Sequence, residues 1–437
     1  GPKAYCRAMS SELRWFRGGV ALSALAGLAL RLIYVFGPGR HVSEFGDFHH
    51  YHLSANLIAH GHWFVDPEWL RISGKYVPSA NHPPLWQLLL GLVSWLGGTG
   101  VLAQRAVGCF VGAVAIVLLG LVGRRVGGPR VGLAAAGLAA VYPILIGADG
   151  SLMSEPLFGV FVLCALLLGF RLRDRPTTRT AAALGVAIAL AALTRSEGLA
   201  LLLLLALPVA VVAAPPGGWK RFGACAAACV VVTAPWLARN WIAFDRPVLI
   251  STNDGSLVAG ANCDLTYHGV SLGIWTTDCL SGQAPRWQRN EAEQAARWRD
   301  EGTSYAWNHL GRLPVVVAAR LLRTFDFYQP WRMTAFAEGR WLKADKAGLI
   351  SYYMLLPFAL LGAWLLIRTR RRFELLVLLA PVALVLLQSA LGFGFPRFRH
   401  AADLVMVVLG AVAVAWVLER LLVLRRRPLG ADAIHQV

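Results

Sequence analysis

The segment EFGDFHHYH, residues 44 to 52, sets two carboxylates, Glu44 and Asp47, and three imidazoles, His49, His50 and His52, just after the first long apolar run of the chain. A carboxylate at a water–lipid boundary can take a proton from a hydroxyl while a lipid-borne partner lies beside it in the bilayer. Phe48, Tyr51, Ala55 and Ile58 recur at helical spacing after Asp47, so the same residue also reads as the N-cap of an interfacial amphipathic helix. The spacing of histidines 49, 50, 52, 60 and 62 matches no HExxH or Cys/His framework, and no metal site is expected from it. Their expected work is packing and hydrogen bonding at the interface, with His49 or His52 placed to orient Asp47 or touch a phosphate. In SANHPPLWQ, Asn81 and His82 precede two prolines that suit the first turn of a short helix, and Lys75 lies shortly upstream. These three are expected to support a passing headgroup.

Further along, MSEPLF carries Glu155 beside a helix-starting proline, where a charge–dipole role competes with a functional one. In ALTRSEGLAL, Arg195 and Glu197 interrupt a run of about thirty apolar residues. Charges at such depth are rare and mark function. FGFPRFRH adds Arg397, Arg399 and His400. Paired arginines of this kind point to an anionic partner such as a phosphate, because a guanidinium fork grips two oxygens at once.

These residues must be held by membrane helices. The 437 residues are 57% hydrophobic and only 15% charged, with a mean hydropathy of +0.54, above an ordinary soluble domain. The reading is an all-α polytopic membrane protein. A formal net charge of +18 raises nucleic acid as a partner, yet Lys and Arg fall in short clusters between apolar spans, which argues against it. The first apolar run, Gly18 to Phe36, is too long for the core of a cleaved signal. Ten spans are predicted, near 17–36, 103–123, 130–148, 153–172, 179–195, 197–214, 221–242, 348–368, 373–394 and 401–422. PPLWQLLLGLVSWLGG falls short of the roughly 17 residues a crossing needs, and reads as a juxtamembrane or re-entrant helix.

Leaving that segment out of the count puts RAMSSELRWFR, GRRVGGPR, RLRDRPTTR, GGWKRF, RTRRRF and LRRRPL all on one side, which the positive-inside rule makes cytoplasmic. Both termini then lie inside the plasma (inner) membrane. Residues 37–102, GADGSLMSEP, the TRSEG turn, residues 243–347 and FGFPRFRH all reach the outer face. The chemistry is expected there. Three sections follow: an N-terminal transmembrane module, 1–242, a large outer loop, 243–347, and C-terminal helices, 348–437. Cys263 and Cys279, separated by fifteen intervening residues in an oxidising compartment, are expected to form a disulfide worth roughly 3 kcal/mol. The stretch from Asn308 to Arg332 mixes arginines with an apolar stripe and reads as a second interfacial helix.

In this order, GDFHHYHLSANLIAHGHWF, ANHPPLWQLLLG, MSEPLF, LTRSEG, APWLARNWIAF and FPRFRH resemble the GT-C superfamily of membrane glycosyltransferases. The resemblance is greatest to bacterial family 39 members, the relatives of protein O-mannosyltransferases and of lipid A aminoarabinose transferase. It implies a GT-C fold of about ten transmembrane helices with outer juxtamembrane helices and loops. It also implies that Asp47 is the catalytic base, that Glu155 occupies the family's second acidic position, and that Arg195 binds donor phosphate. Phe48 stands where many relatives have a second acidic residue. The implied donor is a polyprenyl-phosphate sugar, and the acceptor is a hydroxyl of an envelope glycan, glycolipid or protein. No cofactor is required; a divalent cation is compatible with such chemistry, but nothing in the sequence indicates one. The competing reading is a transporter or lipid-linked-sugar flippase, which usually carries midplane polar residues and internal repeats not found here.

Overall fold

The computed structural model describes residues 2–42, 44–280, 290–333 and 338–425. Those residues are overwhelmingly helical, and their only β pairing is an isolated bridge between Val65 and Pro78. Among the described residues, seven helices are long and apolar enough to cross a membrane. They are α1 (Pro2–Phe36, apolar from Glu12), α5 (Val101–Gly127), α8 (Glu155–Asp174), α10 (Gly218–Phe244), α16 (Leu342–Arg368), α17 (Arg372–Leu391) and α18 (His400–Arg425).

The other three predicted spans take less regular forms. The expected span 130–148 is a pair, α6 (Pro129–Val141) and α7 (Pro143–Asp149), bent by 61° where Pro143 cannot donate its backbone hydrogen bond. The expected span 179–195 is α9 (Thr178–Ala192), 15 residues long. After it, Ser196–Ala200 is a 3₁₀ turn, and Leu202–Ala206 and Pro208–Val212 are π-helical. The break falls at Arg195, whose backbone is extended, and π geometry of this kind often accompanies a functional site.

The core gathers α5, α6, α8, α9, α17 and α18 around residues such as Ile116, Leu166, Ile188, Leu384 and Val405. Helix α18 is its centre: 72% of its apolar window is buried, against 28% for α1 and α10 at the periphery. Gly362 lets α16 lie directly on the α18 backbone at Leu409.

Three helices between α1 and α5 form a cap: α2 (Asp47–Ala59), α3 (Pro67–Ser73) and α4 (Pro84–Trp95). At 12 residues, α4 is about 18 Å long and too short to cross, in line with its reading as juxtamembrane. Helices α2 and α4 pack through Phe48, Tyr51, Ala55, Trp86 and Leu90 against Leu152 and Met153, and the Trp86 indole donates to the Leu152 carbonyl at 3.0 Å. The region after α10 adds α11 (Asn253–Ala261), α12 (Asp264–Tyr267), α13 (Glu291–Asn308), α14 (Leu313–Thr324) and α15 (Pro330–Met333). Cys263 and Cys279 are disulfide-bonded, their Cα atoms 6.0 Å apart. Helix α14 occupies the stretch read as a second interfacial helix.

Candidate active site

Asp47 is the first residue of α2, but it does not cap the helix. The N-cap position is Gly46, whose φ of 63° suits a residue without Cβ, and no side chain caps the first turn. The Asp47 carboxylate instead turns outward. Its Oδ2 accepts from Arg397 Nη2 at 2.7 Å, and its Oδ1 lies 3.4 Å from His82 Nε2. His82 Nδ1 is in turn 3.4 Å from the Tyr51 hydroxyl, one turn further along α2. Pro83 and Pro84 fix the entry to α4 immediately after His82, so the imidazole is delivered from a rigid corner.

Arg397 is the hub. Its Nη1 donates to Glu338 Oε2 at 2.7 Å, and its Nε donates to Glu155. Glu155, the first residue of α8 and almost wholly buried, also accepts from Arg195 Nη1 at 2.7 Å. Arg195 Nε donates to Glu197 at 2.6 Å, and its guanidinium lies over the Phe398 ring. One continuous ionic chain thus runs Glu197, Arg195, Glu155, Arg397, Asp47, His82. It is drawn from the breaks and ends of elements far apart in sequence. The second oxygen of Glu155 is buried without a hydrogen-bond partner. A buried acceptor left open is costly, and a site that receives a donor group there would recover that cost.

The electrostatics separate the carboxylates. Burial alone would raise the Asp47 carboxyl, but Arg397 and His82 outweigh it and hold the group well below the usual carboxylate range. Asp47 is therefore ionised and ready to accept a proton. Burial instead pushes Glu338 up to about 7, with Arg397 only partly opposing it and Asp47 and Glu155 adding to the rise. Burial and the nearby Asp47 charge keep the Tyr51 hydroxyl protonated.

Several residues singled out in the sequence lie elsewhere. Arg399, two positions from Arg397 in the 3₁₀ turn Pro396–Arg399, points away from Asp47. It pairs with Asp326 at 2.7 Å and Asp403 at 2.9 Å, and stacks over Tyr352 at 3.7 Å. It is only 2% exposed and its Nε and Nη1 are engaged by these partners, so the geometry does not bring it to the Asp47 group. His400 is buried against Gly159, one turn after Glu155, and its Nδ1 lacks a partner. His49 lies 3.3 Å from Glu68, and His52 Nδ1 is 2.8 Å from Gln104 Oε1, so neither orients Asp47. Asn81 is tied through its main chain to Ser79 and Ser251, while Glu44 and Lys75 are exposed at the rim. No group of three or more His, Cys, Asp or Glu suited to a metal ion occurs among the described residues.

Sequence reading missed two residues, Glu338 and Arg340. They flank Gly339, whose φ of 65° and close seat against Ser151 and Phe48 press the turn onto the start of α2. Arg340 has only Asp345, at 3.8 Å, as an ion-pair partner among the described residues, yet lies near enough to favour the charged form of Glu338. The Glu-Gly-Arg turn was the available signal, but it sits in a loop of about a hundred residues with many charges. Also unforeseen is the buried pair of Arg31 and Asp149, 2.6 Å apart, which clasps α1 to α7 below the site.

Known proteins place this architecture. The fold is that of GT-C membrane glycosyltransferases. The oligosaccharyltransferase of Archaeoglobus fulgidus matches with a TM-score of 0.52 at 15% identity over 94% of this chain. The same organism's AglB, solved with an inhibitory peptide and a dolichol-phosphate, matches with a TM-score of 0.54 at 17% identity over 94%. This chain covers about half, 51%, of each of those chains. ArnT from Cupriavidus metallidurans, bound to undecaprenyl phosphate, gives a TM-score of 0.45 at 17% identity, covering 91% of this chain and 78% of that one. Within that fold, residues 81–238 match the family described as dolichyl-phosphate-mannose-protein mannosyltransferase. The matched stretch contains His82, Glu155, Arg195 and Glu197, whereas Asp47, Glu338 and Arg397 lie outside it. No curated protein sequence matches the chain.

Proposed function

We propose that the chain is an inverting glycosyltransferase that moves a sugar from a polyprenyl-phosphate donor to a hydroxyl acceptor on the extracytoplasmic face of the plasma membrane. The observation that carries this reading is the ionised Asp47 held against the Arg397 hub at the ends of apolar helices. The donor lipid stays in the bilayer while its sugar meets the acceptor at that edge. Asp47 takes the acceptor proton as the oxygen attacks the anomeric carbon. The bond from that carbon to the phosphate oxygen breaks on the opposite side, so the configuration inverts, and the lipid phosphate departs with the electron pair.

A phosphate leaving group needs no general acid, only cations. Arg397 and Arg195 supply them, with Arg340 as the third. Arg399 serves the scaffold in this scheme. A strongly paired Asp47 is a weak base on its own, so proton transfer keeps pace with bond formation, when the hydroxyl has become acidic. The matched family and the dolichol-phosphate bound to AglB favour a lipid-phosphate donor. The acceptor is an envelope glycan, glycolipid or protein, and both termini are cytoplasmic by the positive-inside rule.

The test is release of free polyprenyl phosphate, measured by mass spectrometry, when the purified protein is given polyprenyl-phosphosugar lipids and an envelope acceptor fraction. Asp47→Asn should retain the wild-type melting temperature and lose at least ~10²-fold in turnover, the scale for removing a general base. Near wild-type turnover in that variant ends the assignment of Asp47. Movement of the lipid across vesicle bilayers without sugar release ends the transferase reading in favour of a flippase.

A further inference from the structure

The end of the bundle opposite Asp47 carries a second built feature that the transfer reaction does not use. Helix α8 runs for 20 residues from Glu155 to Asp174, a length of about 30 Å. There a cavity of about 760 Å³ opens between the ends of α5 and α8, the π-helical segment and the turn joining α16 to α17. Five arginines line it: Arg125, Arg173, Arg370, Arg371 and Arg372. The carboxylates facing them are Asp174 and Glu374, which leaves a formal surplus of three positive charges.

The two carboxylates do not satisfy this set. Asp174 takes both of its close contacts from Arg125 Nη2, at 2.8 and 3.0 Å. Glu374 lies 3.8 Å from Arg125 and 3.8 Å from Arg371. Arg125 Nε is buried without a partner. Arg173 stacks over Phe373 at 4.1 Å, and neither Arg370 nor Arg372 has a carboxylate partner among the described residues. Arg370 is also held at φ 58°, a left-handed conformation that non-glycine residues rarely adopt. The α17 N-terminus opens into the same space, with no side chain capping it at Arg371.

Arg371 is shared with an adjoining cleft of about 980 Å³ whose walls are mostly apolar, including Leu366, Val412, Trp364 and Trp416. Arg368 and Arg420 stack over those two indoles at 5.0 and 5.4 Å; with Arg130 and Arg371 they outnumber the carboxylates of the cleft, Glu12 and Glu419, so the apolar wall has a net positive rim. An anion-binding cavity joined to an apolar cleft has the shape of one ligand class. A soluble phosphate would use only the first of them. We propose that this end of the bundle binds an anionic phospholipid of the adjacent leaflet, its phosphate among Arg173, Arg371 and Arg372 and an acyl chain along the Trp364 and Trp416 wall. Charge complementarity selects it over zwitterionic lipids.

The experiment compares lipid retention by native mass spectrometry and melting temperature in micelles doped with phosphatidylglycerol or with phosphatidylcholine of the same chains. Wild type should retain phosphatidylglycerol at least tenfold more tightly than phosphatidylcholine, and melt higher in its presence. Arg173→Gln/Arg372→Gln should abolish that preference while melting like wild type in phosphatidylcholine. If this double variant fails to fold, Arg370→Gln alone should weaken retention measurably. Arg179→Gln/Lys220→Gln removes the same charge from exposed positions at the same end but outside the cavity, and should retain the preference. An equal loss in that control overturns the site, because diffuse charge would then explain the binding. An equal shift on adding soluble glycerol phosphate overturns the lipid assignment.

Discussion

Arg397 and Arg399 stand two residues apart in one 3₁₀ turn, and both sit among carboxylates, yet they do opposite work. Arg399 closes on itself: Asp403 is four residues on, in the first turn of α18, Asp326 and the Thr324 carbonyl come from the end of α14, and Tyr352 covers the guanidinium. Its Nε and Nη1 are both engaged and the side chain is buried away from solvent. Arg397 gathers Asp47, Glu155 and Glu338 from three separate elements, and two of those three side chains keep substantial contact with solvent, 32% for Asp47 and 21% for Glu338. A count of ion pairs does not distinguish the two arginines. What distinguishes them is openness and the spread of acid strengths among the partners, with Asp47 lowered and Glu338 raised around one cation.

The largest effect should come from breaking the closed cluster. Arg399→Ala strands two buried carboxylates, Asp326 and Asp403, and should cost about 3–5 kcal/mol of stability, the scale for removing one partner of a buried pair. A fall in melting temperature larger than that of Arg397→Ala is the expected result. In Arg397→Ala, Glu155 still has Arg195, while Asp47 and Glu338 turn to water. Equal destabilisation by the two changes would erase the distinction between the clusters.

The next effect is on binding. Arg397→Ala should weaken a short-chain polyprenyl phosphate by about 1.5–3 kcal/mol, the usual scale for a hydrogen bond to a charged group. Arg397→Lys should recover only part, because an ammonium cannot reach two oxygens as a planar fork does. Isothermal titration in detergent measures both. Unchanged affinity in Arg397→Ala would move the phosphate to Arg195 and Arg340.

That contrast was invisible in the sequence for a physical reason. The spacing of FPRFRH announces two cations at a span boundary, but a 3₁₀ turn sends residues two apart to different sides, and only the fold says which side holds Asp47. Long apolar runs, by contrast, declare themselves. Seven of the ten expected spans are single long helices, because their period and length leave little else for them to be. The run from 196 to 212 is as apolar as the others, and its π geometry escaped composition. Asp47 was legible because a carboxylate at a lipid boundary is unusual in itself. Its pairing with His82 depends on the proline corner before α4, and its link to Glu338 on a turn nearly three hundred residues away. Neither leaves a local signature.

Glu338 sharpens the comparison at the smallest scale. Burial pushes its carboxyl to about 7, from a reference near 4.3, so near neutral pH it changes charge while Asp47 does not. Above pH ~7 the ionised Glu338 holds Arg397 and repels an incoming phosphate; below it the neutral acid releases the guanidinium. Raised above its ordinary value, the group is protonated at lower pH, so the expected sign is tighter donor binding as pH falls through 7. The probe is a short-chain polyprenyl phosphomannose, whose phosphodiester keeps a single charge across this window. Its affinity should fall up to about tenfold between pH 6 and 8 in wild type, each pH unit being worth at most one factor of ten for one proton. In Glu338→Gln the profile should be flat and the pH 8 affinity at least that of wild type at pH 6. A pH profile in Glu338→Gln as steep as in wild type would take the switch away from Glu338 and leave Arg397 as open to the phosphate at pH 8 as at pH 6.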